Sequence, residues 1–193
     1  MIIGITGGTG CGKTTLLNLI RENGGTVLDC DAIYHRLLET DQALLNAIES
    51  HFPGVLKDGC LDRKKLGAIV FSDKDALEAL NRITHSAVAY EITRLLSPAP
   101  PLAAIDAVAL HTSGLAQLCD VTVAVTAPAD ARIARIIARD GISYEYARAR
   151  ISAQPSNEDF SSLCDYTLDN DDTEKHFRNK CLAFFSQLGI MKT

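Results

Sequence analysis

Gly7-Gly8-Thr9-Gly10-Cys11-Gly12-Lys13-Thr14 follows the apolar run Ile2-Ile3-Gly4-Ile5-Thr6 and precedes a stripe of Leu16, Leu17 and Ile20. The glycines let the backbone curl so that successive N–H groups face one another's ligand, a nest for anionic oxygens. A helix starting at the end of the curl adds its positive N-terminus. In the pattern G-x-x-x-x-G-K-[ST], the lysine reaches the β- and γ-phosphates of a nucleotide and the hydroxyl takes Mg2+. Those roles fall to Lys13 and Thr14. A bare glycine-rich turn is the alternative, but an apolar strand before and an amphipathic helix after favour phosphate binding.

Working outward, Ile2–Thr6 reads as a buried first strand and Thr14–Glu22 as its helix. Thr26–Cys30 is a second strand that ends among Asp29 and Asp31. From Ala32 to about Ser97 the pattern is helical, broken by His51-Phe-Pro-Gly54 and Lys57-Asp-Gly59 as loops. Stacked prolines in Ser97-Pro-Ala-Pro-Pro101 end it. Leu102–Leu110 and Val121–Thr126 read as strands, and Ala129–Arg139 and Tyr144–Ala153 as helices. A short strand at Tyr166–Leu168 and a helix over Thr173–Gln187 complete the pattern. Strands alternating with helices predict an α/β fold with a parallel sheet covered on both faces.

The chain of 193 residues is 47% hydrophobic and 22% charged, with a formal net charge of −5. An acidic balance argues against wholesale binding to nucleic acid or an anionic membrane. No stretch reaches the roughly 20 apolar residues of a membrane span, and the N-terminus lacks a signal-peptide pattern. Six scattered cysteines without a C-x-x-C pair read as reduced thiols, which points to the cytoplasm. His35, His51, His111 and His176 have no neighbours at metal-binding spacing.

In an open parallel sheet, ligands bind beyond the carboxyl ends of the strands. A carboxylate there can orient an alcohol and accept its proton during phosphoryl transfer. Asp31 is the candidate base, against the alternative of a helix N-cap, and Asp29 is expected to be a partner to it or a buried support. Arg132, Arg135 and Arg139 recur at i, i+3 and i+7 beside the apolar Ile133, Ile136 and Ile137. That row is either a solvated basic face or a clamp on developing charge. Arg148 and Arg150, two apart, cannot both face one ligand. Cys11, at a helix N-terminus, is either a reactive thiol or a small packing residue.

Together these segments resemble the dephospho-CoA kinase family. Thr6–Thr15, Leu28-Asp-Cys-Asp31 with Arg36, and Leu61-Asp-Arg63-Lys-Lys-Leu-Gly67 carry the likeness. So do Leu80-Asn-Arg-Ile-Thr-His85, Arg139-Asp-Gly141, Arg150-Ile-Ser-Ala-Gln154 and Asp165-Tyr-Thr-Leu-Asp-Asn170. The resemblance implies a single P-loop kinase domain with a five-stranded parallel sheet. Residues 1–31 and 98–193 would form the nucleotide core, with a helical lid at about 139–155, and residues 32–97 a helical acceptor-binding insertion. It implies ATP held by Gly8, Thr9, Gly10, Cys11, Gly12, Lys13, Thr14, Thr15, Arg135 and Asn170, with Mg2+ on Thr14. Catalysis would fall to Lys13, Asp31 and Arg139, and dephospho-CoA would meet Asp31, Arg63 and His85. The sequence departs from the family pattern at Val108 and Ser86, where proline is usual, and at Thr112, where glutamate is usual. Another small-molecule kinase, of the shikimate or nucleoside-monophosphate type, is the alternative enzyme. A nucleotide-binding switch without an acceptor is the alternative class, and the long helical insertion argues against it.

Overall fold

Ile3 and Ile5 are fully buried, and the strand that carries them, β1 (Ile2–Thr6), is paired on both edges. An apolar strand with no solvent face belongs at the centre of a parallel sheet. The computed structural model, which describes residues 1–190, places it there. The order of elements is β1, α1 (Lys13–Glu22), β2 (Thr26–Asp29), α2 (Cys30–Thr40), α3 (Gln42–His51), β3 (Leu56–Lys57) and β4 (Cys60–Leu61). Then come α4 (Arg63–Val70), α5 (Lys74–Leu95), β5 (Ala103–Asp106), β6 (Val121–Thr126), α6 (Ala129–Asp140), α7 (Tyr144–Ser152), α8 (Asn157–Leu163), β7 (Tyr166–Asp169) and α9 (Glu174–Gln187). A 3-10 turn at Leu115–Leu118 precedes β6. Five strands form one sheet in the order β2-β5-β1-β6-β7, with β1 parallel to β5 and β6, and β6 parallel to β7.

The chain forms two compact units. One joins Met1–Leu28 to the chain from Pro100 onward, and the other is Asp29–Ala99. The core of the first packs Ile3, Ile5 and Val123 of the sheet against Leu16 and Ile20 of α1 and Phe177 and Phe185 of α9. A smaller cluster of Ile133, Ile136 and Ala147 joins α6 to α7. In the second unit α5 packs against α2, α3 and α4. Among the described residues no helix is long and apolar enough to cross a membrane.

Three local features differ from the sequence reading. The strand expected over Leu102–Leu110 stops at Asp106, because its partner β1 ends at Thr6. Ala107 N–H makes the last ladder bond, to Ile5 O, and the chain then turns through residues 108–113. The Lys57-Asp58-Gly59 loop is the tip of a hairpin joining β3 and β4. Asp58 and Gly59 both adopt positive φ, 52° and 78°, as a tight hairpin turn demands. Finally, α8 was not anticipated, although Ser156 and Asp159 cap it reciprocally and Phe160 anchors it. At Ser86 the hydroxyl donates to Arg82 O at 2.9 Å, and α5 runs on without a break.

Candidate active site

The glycine-rich loop runs from the end of β1 into α1, and side chains of α1 itself, of α6 and of the residue after β7 hold its carbonyls. Lys13 Nζ donates to Gly7 O at 2.9 Å. Arg132 Nε donates to Thr9 O at 2.9 Å, Arg135 Nη1 to Gly10 O at 3.2 Å, and Asn170 Nδ2 to Cys11 O at 2.9 Å. A trans peptide is planar, so a carbonyl pinned one way turns the next N–H the other way. The amides of Gly10 and Gly12 are therefore directed away from α6 and Asn170. The N–H groups of Lys13 and Thr14 add to them, because first-turn amides lack intrahelical acceptors. Backbone donors and the Lys13 ammonium together make a site for a polyphosphate.

The glycines answer to this scaffold as much as to a ligand. A Cβ on Gly8 would lie 2.1 Å from Arg132 Nη2. Gly12 has φ 98°, and a Cβ there would lie 2.2 Å from Asn170 Nδ2. Neither position accepts a side chain while Arg132 and Asn170 hold the loop.

Thr9 gives its N–H to Gln154 Oε1 at 2.8 Å, and its hydroxyl accepts from Gln154 Nε2 at 3.0 Å. The Cys11 thiol is buried beneath the loop at 1% exposure, and burial pushes its pKa up despite Lys13 nearby. Cys11 packs within the buried core cluster beneath the loop, and desolvation outweighs the pull of Lys13 on its thiol. Lys13 also lies 3.8 Å from the Asp106 carboxylate at the end of β5. Thr14 is exposed at the first turn of α1. Thr15 donates its N–H to Gly12 O at 3.2 Å. Beside the loop a cavity of about 360 Å3 is lined by Gly12, Thr15, Arg135, Asn170, Glu174 and Phe177.

The arginine row on α6 divides by environment. Arg132 is buried, and burial draws its pKa down. Arg135 bridges the loop to Asn170 Oδ1 at 3.2 Å. Arg139 is exposed and pairs with Asp140, which Arg150 of α7 also engages at 2.7 Å. The hydrogen bonds of Arg139, followed by those of Arg150, hold the Asp140 carboxyl down to about 2.

In the second unit Asp29 is the N-cap of α2, accepting from Ala32 N–H at 3.0 Å. It is exposed, unlike the buried support the sequence suggested. With the cap supplied by Asp29, Asp31 stands exposed in the first turn of α2. One turn on, an apolar cavity of about 180 Å3 is walled by Tyr34, Leu38, Leu61, Phe71 and Leu80, with Arg63 at its margin. Arg63 approaches His35 Nδ1 at 3.5 Å and Glu39 at 3.9 Å. His85 sits half-buried on α5, and that burial lowers its pKa. Arg36 and Arg94 converge on Glu91 of α5 at 2.8 and 2.7 Å.

Asp106, inside the strand expected over Leu102–Leu110, and Gln154, the last residue of the Arg150–Gln154 segment, have no role assigned from sequence. A carboxylate at the end of a strand beside the loop is a legible signal. A lone glutamine after a helix is not.

A parallel sheet with β1 at its centre, a phosphate loop at the end of that strand and an arginine-bearing helix bracing the loop define a P-loop kinase. The chain belongs to the dephospho-CoA kinase family, whose model matches residues 1–176. A dephospho-CoA kinase of Symbiobacterium thermophilum is 39% identical over 175 residues, covering 88% of this chain and 73% of that protein. The crystal structure of TT1252 from Thermus thermophilus superposes with a TM-score of 0.81 at 32% identity, covering 100% of this chain and 98% of the other. A dephospho-CoA kinase from Campylobacter jejuni gives 0.69 at 26% identity, covering 98% of each. Members of such a family transfer a phosphoryl group from ATP to an alcohol.

Proposed function

We propose that this protein transfers the γ-phosphoryl group of ATP to the ribose 3′-hydroxyl of dephospho-CoA, giving CoA and ADP. The observation that carries the reading is the phosphate loop, braced as a nest, in a chain matched to the family across residues 1–176. Lys13 and the amides of Gly10, Gly12, Lys13 and Thr14 take the phosphates, and the cavity beside Arg135 and Asn170 takes the base. The hydroxyl of Thr14 and the carboxylate of Asp106 are hard oxygen donors, a set that suits Mg2+. When bound, the ion would neutralise charge on the β- and γ-phosphates. Asp31 accepts the proton of the acceptor hydroxyl as its oxygen bonds to phosphorus and the bond to ADP breaks. Arg63, His85 and the apolar cavity of the second unit serve the acceptor, and Arg139 serves the transferred charge. An acidic chain with free thiols fits a cytoplasmic small-molecule enzyme without a nucleic-acid partner.

The test is a coupled ADP-release assay with dephospho-CoA, adenosine monophosphate and shikimate offered separately. Turnover with dephospho-CoA alone is the expected result, and Lys13→Ala, folded by circular dichroism, should abolish it. Preference for either other acceptor, or full turnover by the folded Lys13→Ala variant, overturns the reading.

A further inference from the structure

Gln154 lies just beyond the end of α7, 145 residues from Thr9 in sequence, yet it engages nearly every polar group Thr9 offers. Its Oε1 accepts the Thr9 N–H at 2.8 Å, and its Nε2 donates to Thr9 Oγ1 at 3.0 Å. The same Oε1 accepts from Arg132 Nη2 at 2.9 Å, while Arg132 Nε holds the remaining group, Thr9 O, at 2.9 Å. Three residues from the loop, α6 and the end of α7 thus close a cycle of four hydrogen bonds. Arg132 is 3% exposed, and Thr9 and Gln154 are partly buried around it.

The chemical character of the cycle matters as much as its shape. Both acceptors that hold Arg132, an amide oxygen and a peptide oxygen, are neutral. They orient the guanidinium without cancelling its charge, and the group lies close against Gly8. A positive charge drawn out of water strengthens an adjacent anion site far more than a solvated one. A glutamate at position 154 would keep the acceptor contacts but neutralise that charge and add a negative group beside the phosphates.

We propose that Gln154 is a positioning residue for the polyphosphate of ATP, a neutral holder that fixes Thr9 and orients Arg132 while leaving its charge uncancelled behind the phosphate loop. The inference rests on the ATP-kinase reading of the loop. It adds a requirement that no loop motif contains, that the second residue beyond α7 be an uncharged amide. It also ties the end of α7 mechanically to the phosphate loop, so that displacing one disturbs the other.

The experiment compares the full-length wild type with Gln154→Glu and Gln154→Ala, measuring ATP affinity by calorimetry, melting temperature, and kcat and KM for both substrates. Gln154→Glu should melt at or above the wild-type temperature yet bind ATP about tenfold more weakly, through lost charge at the loop. Gln154→Ala should raise the KM for ATP and lower kcat by roughly tenfold each, while the KM for dephospho-CoA stays within about twofold. A merely structural role predicts the reverse pattern, with Gln154→Glu rescuing both stability and affinity. ATP affinity of Gln154→Glu equal to wild type would overturn the proposal, as would unchanged affinity in a folded Gln154→Ala. Should the alanine variant fail to fold, the glutamate variant still decides. ATP affinity is read without an acceptor, so a wild type that binds ATP but leaves dephospho-CoA unmodified refutes the proposed reaction and not the role of Gln154.

Discussion

Asn170, 159 residues from Cys11 in sequence, donates its side-chain amide to the Cys11 carbonyl at 2.9 Å. It is the residue immediately after β7, placed by its own N–H bonding to Thr126 O at 2.8 Å. Because Cys11 O is tied to Asn170, the Gly12 amide is turned the opposite way, toward the site. Asn170→Ala removes that tie and the support of Arg135 at once. We expect ATP affinity to fall about tenfold, the equivalent of one good hydrogen bond, with the melting temperature little changed. Calorimetric titration with ATP checks it, and wild-type affinity would show that the loop holds its shape without Asn170.

Two aspartates two residues apart have separable jobs. Asp29 caps α2, so Asp29→Ala should cost about 1 kcal/mol of stability. Asp31 caps nothing in the described residues, and Asp31→Asn should lower turnover by roughly 100-fold while stability and ATP binding stay near wild type. Denaturant melts and steady-state kinetics on both variants separate the roles. Greater loss of turnover in folded Asp29→Ala than in Asp31→Asn would reverse the assignment.

Glu91 carries a pH signature. The hydrogen bonds of Arg94, and then of Arg36, hold its carboxyl down to about 2 from an ordinary 4.5. A depressed carboxyl contributes stability above its unfolded pKa and loses it as pH falls toward the folded value. The contribution is therefore complete above about pH 4.5 and disappears toward about pH 2. Glu91→Gln should destabilise the protein by about 1–2 kcal/mol at neutral pH, a figure reduced because both arginines reach solvent. The difference from wild type should shrink when melts are repeated at about pH 3. A difference that does not narrow with acid would mean the pair contributes through packing alone.

The position of Cys11 within the loop suggests a reactive thiol, but its burial predicts otherwise. Exposed Cys60 should take up a thiol reagent first, and Cys11 should label only on unfolding. Mass spectrometry of partially labelled native protein tests the order. Early labelling of Cys11, suppressed by ATP, would restore it as a reactive site.

Much of this protein follows from local sequence. The buried β1, the phosphate loop and the amphipathic α6 are each written in consecutive residues, because strand burial, nest geometry and helix periodicity are short-range properties. Lys57-Asp-Gly59 is legible as a loop but not as a hairpin, and the Ser156–Asp159 capping box is an equally local signal absent from the sequence reading. Asp29 illustrates a limit. Two aspartates in one helix start compete for the cap, and only the backbone conformation at Asp29, φ −86° and ψ 109°, decides which one takes it.

What the tertiary structure alone decided is which way the loop's peptides face. Lys13, Arg132, Arg135 and Asn170 hold four carbonyls of the loop Gly7–Gly12, and Gln154 holds Thr9. Three of those five side chains lie more than 120 residues from what they hold, and a fourth, Gln154, lies 145 away. The sequence determined that a phosphate loop would form, because glycine permits the curl and Lys13 follows it. It could not determine the set of side chains that fix the curl. Hydrogen bonds across such separations exist only after β6, α6 and β7 have packed beside β1, and no periodicity or motif spacing encodes that packing.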